Sequence, residues 1–182
     1  MTGGKSRIIR SKADLNEFLK CDRTVNGIHG FSGEFKYTWQ YIKTLRKYEY
    51  CINLRKRGVL RYWFKLRLRR LGVLTGIPLA PNSFGKGLYI PHYGSIIVNS
   101  SAKFGEYCTL QSCTNVSRDV VGGDHIFIAT GAKVLSGVRI ADYVIVAANA
   151  VLHDSIEEEN IVVGGIPAKK ISNNGNKDRV FF

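Results

Sequence analysis

Negative charge is what this chain of 182 residues is short of: 14 Asp and Glu face 27 Lys and Arg, a formal net charge of +13. The deficit is steepest between Lys36 and Arg70, where Glu49 alone opposes twelve basic residues. Long apolar runs are also missing. None approaches the roughly 18 residues of a membrane-spanning helix, and Met1 to Arg10 carries charge without the apolar stretch of a secretory leader. The expectation is a cytoplasmic chain. The 4 cysteines (Cys21, Cys51, Cys108, Cys113) have no CxxC spacing, and the 4 histidines are not spaced as zinc ligands. Reduced thiols and no metal are therefore expected.

What the chain has in place of these is a period of six. From Val98 every sixth residue is apolar through Phe104, Leu110, Val116, Ile128, Val134, Ile140 and Val146, with Gly122 the exception. Four residues after each lies a second track, Ala102, Cys108, Thr114, Val120, Ile126, Ala132, Val138, Val144 and Ala150, small or β-branched throughout. Six matches neither the 3.6-residue period of a helix nor the alternation of a strand. It matches short rungs that repeat after each corner of a solenoid. Asn99-Ser100, Gly105-Glu106, Gly123-Asp124, Gly131, Gly137 and Asn149 supply turn-tolerant corners. The pattern predicts a mainly β chain, a left-handed parallel β-helix of hexapeptide repeats behind a small α-helical domain. Upstream, two extra residues break the frame just before Val98, beside His92.

The helical part is expected over 1–75, the β-helix over 76–171 and a tail over 172–182. Ser11 with Asp14 marks a helix start running to about Lys20, 26–33 reads as a loop, and two longer helices follow at about 34–53 and 58–71, with Gly58 and Gly72 as breaks. The segment 36–70 interleaves Tyr, Trp and Phe with its basic residues. It suits an anionic membrane face or an acidic or lipid-linked glycan, unless the aromatics pack inward and the charges are solvated. No reader motif accompanies the charge, so nucleic acid is not an expected partner.

Three stretches resemble a known family. They are Gly87-Leu88-Tyr89-Ile90-Pro91-His92-Tyr93-Gly94, Ile128-Ala129-Thr130-Gly131-Ala132-Lys133, and Val163-Gly164-Gly165-Ile166-Pro167-Ala168-Lys169-Lys170-Ile171. With the repeat they make about half the chain similar to hexapeptide-repeat acyltransferases, within them the serine acetyltransferase-like group that includes many polysaccharide O-acetyltransferases. The resemblance implies acetyl-CoA as co-substrate, lying between two solenoids of a homotrimer. It implies Thr130 and Ala148 beside the pantetheine arm, His153 near the cofactor, and Lys169, with Lys170 as alternate, at the nucleotide phosphates.

Acetyl transfer to an alcohol needs a base for a hydroxyl whose pKa lies far above neutral, and a neutral imidazole is suited to it. His92, in the histidine motif and at the frame break, is the candidate. A backbone N–H at a corner would hold the oxyanion. His125 reads as a turn residue and His29 as a loop residue that could reach a neighbouring subunit. The chain departs from serine acetyltransferases in three ways. Ile77 stands where they carry an orienting Asp, no Gly-rich excursion interrupts 117–123, and the helical domain is basic rather than acidic. A backbone carbonyl is therefore left to hold the His92 tautomer. The expected function is O-acetylation of a sugar or surface-polysaccharide precursor. The alternatives are serine O-acetylation for cysteine synthesis and a non-catalytic trimeric scaffold or glycan-binding solenoid. Outward Ile97, Phe127, Ile145 and Val151 make trimerisation the expected way to cover the faces.

Overall fold

The computed structural model describes residues 8–56 and 58–177; residues 1–7, 57 and 178–182 lie outside it, the last of these being the end of the expected tail. Helix α1 (Lys12–Val25) opens on Ser11, whose hydroxyl accepts from the Asp14 amide at 3.0 Å. It runs past Lys20 because Leu15, Phe18, Asp22 and Val25 keep one face buried to its end. A single turn, α2 (Gly30–Gly33), interrupts the expected loop. Helices α3 (Tyr37–Asn53) and α4 (Val59–Thr75) form an antiparallel pair. Gly72 does not break α4: it is buried where a β-carbon would meet the Tyr41 ring at 3.6 Å. The stop is Gly76, in the left-handed region at φ 70°.

The solenoid consists of two-residue rungs β1 (Ile97–Val98), β2 (Lys103–Phe104), β3 (Thr109–Leu110), β4 (Asn115–Val116), β5 (Val121–Gly122), β6 (Phe127–Ile128), β7 (Lys133–Val134), β8 (Arg139–Ile140), β9 (Ile145–Val146) and β10 (Val151–Leu152), closed by β11 (Val162–Gly165) and β12 (Ala168–Ser172). They stack into three sheets, β1-β4-β7-β10, β2-β5-β8 and β3-β6-β9-β11-β12, parallel except for the β11–β12 hairpin. Ile97 pairs with Asn115, Lys103 with Val121 and Thr109 with Phe127, so each regular turn takes eighteen residues, three hexapeptides. In the first turn Phe84 pairs with Phe104 and Tyr89 with Thr109, twenty residues on. The two extra residues thus fall in the loop that carries His92.

Both apolar tracks are buried along their length. Gly122 is the exception for a reason of volume: a β-carbon there would come within 2.3 Å of the Phe104 ring, which stacks on Phe84 at 5.1 Å and fills the layer. Corners recur just as regularly. Tyr107, Cys113, Asp119, His125, Gly131, Gly137, Tyr143 and Asn149, six apart, all have positive φ. Tyr107, Cys113 and Tyr143 were not legible as turn residues, since Tyr and Cys carry no turn signal.

Helices and solenoid share one buried cluster, from Ile28, Trp39 and Leu45 to Val163 and Ala168. Where they meet, Arg46 is fully buried. It donates to Asp22, Glu49 and the carbonyls of Phe84 and Gly85, while Asp22 also accepts from the Leu88 amide and Glu49 from the Asn82 amide. The expectation of solvated charge therefore fails at this residue. Burial pushes the Asp22 and Glu49 carboxyls up against the pull of Arg46. Burial also works against the Arg46 charge, which the two carboxylates hold in place. At the other end of the chain, Asn176 is buried, donating to the carbonyls of His125 and Tyr143, so this part of the tail is tied to the solenoid.

Candidate active site

His92 sits on the two-residue excess of the first turn, exposed, at the corner between the β3-β6-β9-β11 and β1-β4-β7-β10 faces. The helical domain holds this loop: the Gly94 amide donates to the Thr75 carbonyl at 2.8 Å and the Ile96 amide to the Gly76 carbonyl at 3.0 Å. Gly76 is required there, because a β-carbon would lie 2.6 Å from the Gly94 oxygen. Ile77, at the position where a carboxylate would orient the imidazole, is buried. The expected backbone carbonyl is not found either: no hydrogen bond reaches His92 among the described residues. Its loop presents the ring to solvent rather than to the corner's backbone.

Along the same corner, turn by turn, lie Ser112, Thr130 and Ala148. A β-carbon on Gly94 would touch Ser112 at 3.3 Å, the Gly131 amide donates to the Ser112 carbonyl, and the Asn149 amide donates to that of Thr130. Strands are spaced about 4.8 Å apart, so His92, Thr130 and Ala148 mark one edge climbing the solenoid. Gly164 and Gly165 continue it above Ala147, and Lys169 pairs with Gly164 across the hairpin. His92 therefore stands at one end of an edge about 19 Å long and Lys169 at the other.

The backbone of this edge has donors to offer. At the preceding corner the Glu106 and Asp124 amides are consumed by the Asp124 and Asp142 carboxylates of the next turn, at 2.8 and 2.7 Å. Their counterparts six residues on, the N–H groups of Ser112 and Thr130, together with that of Ala148, make no hydrogen bond among the described residues. The corner at Ser100, Arg118 and Ser136 also leaves its amides open, but no histidine stands in its first turn. The His92 edge combines a histidine in its first turn with open, in-register donors and small side chains, which suits an extended ligand bearing carbonyl groups.

His153 lies on a different corner, after β10, and joins the edge's far end through a residue that sequence reasoning missed. Asp154 accepts from His153 Nδ1 at 2.9 Å and lies 3.5 Å from Lys169 Nζ. The bond from His153, with Lys169 adding, holds the Asp154 carboxyl below its usual range. Lys170 points elsewhere and pairs with Glu158. His29 is exposed at the start of α2. His125 is a corner residue, as expected, at φ 55° between the rings of Tyr107 and Tyr143. No group of three or more potential metal ligands is found among the described residues.

No family model matches the chain. Among curated proteins it is similar to a serine acetyltransferase of Staphylococcus aureus, 30% identical over 110 residues that span 56% of this chain and 51% of that protein. A serine acetyltransferase of Synechococcus elongatus is 26% identical over 112 residues, 57% of this chain and 46% of that protein. The chain thus spans about half the length of the curated relatives it matches. Among solved structures, serine acetyltransferase of Neisseria gonorrhoeae superposes with a TM-score of 0.72 at 17% identity, over 92% of this chain and 68% of that one. A serine acetyltransferase of Brucella abortus in complex with coenzyme A gives 0.70 at 15% identity, over 91% and 69%. These likenesses show a helical region followed by a parallel β-solenoid, and the sequence relatives are serine acetyltransferase-like.

Proposed function

We propose that the chain transfers acetyl from acetyl-CoA to a hydroxyl of a small acceptor. The observation that carries the reading is the edge from His92 to Lys169, with open amides at Ser112, Thr130 and Ala148 between them. His92 takes the hydroxyl proton as the acceptor oxygen attacks the thioester carbonyl, an amide of the corner donates to the oxyanion, and the C–S bond breaks as the proton passes to the departing thiolate. The small side chains of Thr130 and Ala148 let the pantetheine arm lie against the backbone, and His153 flanks its far end. Lys169 exchanges Asp154 for a nucleotide phosphate, with Lys170, paired with Glu158, as the alternate.

Serine is the first acceptor to test, because the relatives on both comparisons are named serine acetyltransferases. A sugar hydroxyl is the second reading, favoured by the apolar Ile77 in place of a carboxylate and by the basic helices. We place the enzyme in the cytoplasm as a homotrimer whose subunits flank the cofactor edge. Thioester cleavage measured with free serine and with a panel of sugars separates the acceptors. In that assay His92→Ala is expected to lower turnover by roughly 10²–10⁴ with CoA binding retained; unchanged turnover refutes the assignment. Lys169→Ala is expected to weaken CoA by about 1–2 kcal/mol and to leave kcat at saturating cofactor unchanged. Titration calorimetry with CoA checks it, and equal affinity of parent and variant would remove Lys169 from the phosphate site.

A further inference from the structure

Helix α4 buries Phe64, Leu68, Leu71, Gly72 and Thr75 on one face. At 3.6 residues per turn the face opposite these carries Val59, Tyr62, Leu66 and Val73. An outward face of a surface helix is normally polar, yet Val59 is 85% exposed, Val73 80%, Tyr62 62% and Leu66 48%. Cations flank this stripe on both sides, Lys65 and Arg69 on one, Arg67 and Arg70 on the other, with Trp63 under the Arg67 guanidinium at 5.3 Å. No acidic residue occurs from Cys51 to Gly105. Two grooves border the helix. One of about 410 Å³ runs along Tyr37, Trp63, Leu66 and Arg70. The other, about 960 Å³ and mostly apolar, runs from Lys65 and Arg69 under Val73 and Leu74 to Tyr93 and Gly94, beside His92.

We infer that α4 is an interfacial helix that seats the protein on an anionic lipid bilayer, independently of which acceptor it acetylates. Exposed aliphatics in line with Trp and Tyr, bordered by Arg and Lys, are the composition of a helix lying at the headgroup level. Apolar side chains enter the acyl boundary while the arginines reach anionic headgroups. The charge decides the occupant: a second copy of this chain would bring the same unopposed cations against them. The helix lies in the plane of the bilayer and does not cross it, since no helix among the described residues is long and apolar enough to do so.

Flotation of the full chain with vesicles of equal parts phosphatidylcholine and phosphatidylglycerol, against phosphatidylcholine alone, tests the inference. Binding to the anionic vesicles only, weakened by salt, is expected, together with a blue shift of Trp63 emission; the other tryptophan, Trp39, is already buried. The double variant Leu66→Gln/Val73→Gln, at exposed positions that leave the core intact, is expected to bind at least about tenfold more weakly. Arg69→Gln/Arg70→Gln is expected to do the same at low salt. Equal binding to both vesicle types, no binding, or an unchanged Leu66→Gln/Val73→Gln variant overturns the inference. So does a parent oligomer that dissociates in that variant while vesicle binding persists, since the stripe would then be a contact between copies.

Discussion

At a single corner of the solenoid, His125 lies flat between Tyr107 and Tyr143, ring centroids 4.9 Å away on each side. The stack is half-buried, and burial pulls the His125 pKa below the ordinary 6.5 despite the nearby Asp124 and Asp142. A histidine whose folded pKa is depressed costs nothing while neutral in both states above pH 6.5, and subtracts stability as pH falls through its lowered folded value. His125→Asn, which tolerates the same positive φ, is expected to lose some stacking at pH 7 but to show a flatter decline in Tm on acidification. Parallel melts of parent and variant across that range check it, and equal slopes would mean that His125 does not report on folding. The neighbouring ring responds too: burial and the contact with Cys21 push the Tyr107 phenol up to about 12.

Between elements, the helices are bound to the solenoid by a charge network as well as by apolar packing. All of the donors of Arg46 are spent on α1, α3 and the first turn, and both carboxylates are buried with it. Such a cluster contributes little net free energy when whole but is costly to break, because the carboxyls left behind stay buried without their compensating charge. Arg46→Ala is expected to destabilise the protein by about 3–5 kcal/mol, a large share of a typical total. Urea unfolding measures it. A loss under about 1 kcal/mol would indicate that water reaches the cluster. The same contact has a consequence for the site, since the helices it anchors also hold the loop of His92 through Thr75 and Gly76.

For the whole molecule, the proposed trimer rests on faces less apolar than the sequence pattern implied. Ile97 is exposed, but Phe127 and Val151 are only half-exposed, and Ile145 is buried within the chain itself. The exposed aliphatics of the solenoid are instead Ile97, Val121 and Leu135, with Ile166 and Ile171 on the closing hairpin. If copies associate so that each cofactor edge has a wall from its neighbour, mixing His92→Ala subunits with subunits altered across the groove restores part of the activity, since some mixed sites are intact. Sedimentation of a fully active monomer at micromolar concentration would rule the arrangement out.

The hexapeptide period by itself determined the solenoid, because a rung that turns every six residues must place positions six and four apart inside, whatever else the chain does. It located the irregular turn at His92, whereas Thr130 and Ala148 were singled out by the family resemblance, and it is the eighteen-residue register of the folded turns that stacks them on one edge. Tertiary structure alone decided what has no periodic signature. Arg46 reads as one cation in a basic helix, and only the meeting of three elements converts it to a buried anchor. Tyr107 and Cys113 carry no turn signal, and their left-handed corners are imposed by the rungs on either side. Asp154 reaches Lys169 only because the last hairpin folds back, and the apolar outer stripe of α4 becomes an anomaly only once the packing shows which of its faces is the core.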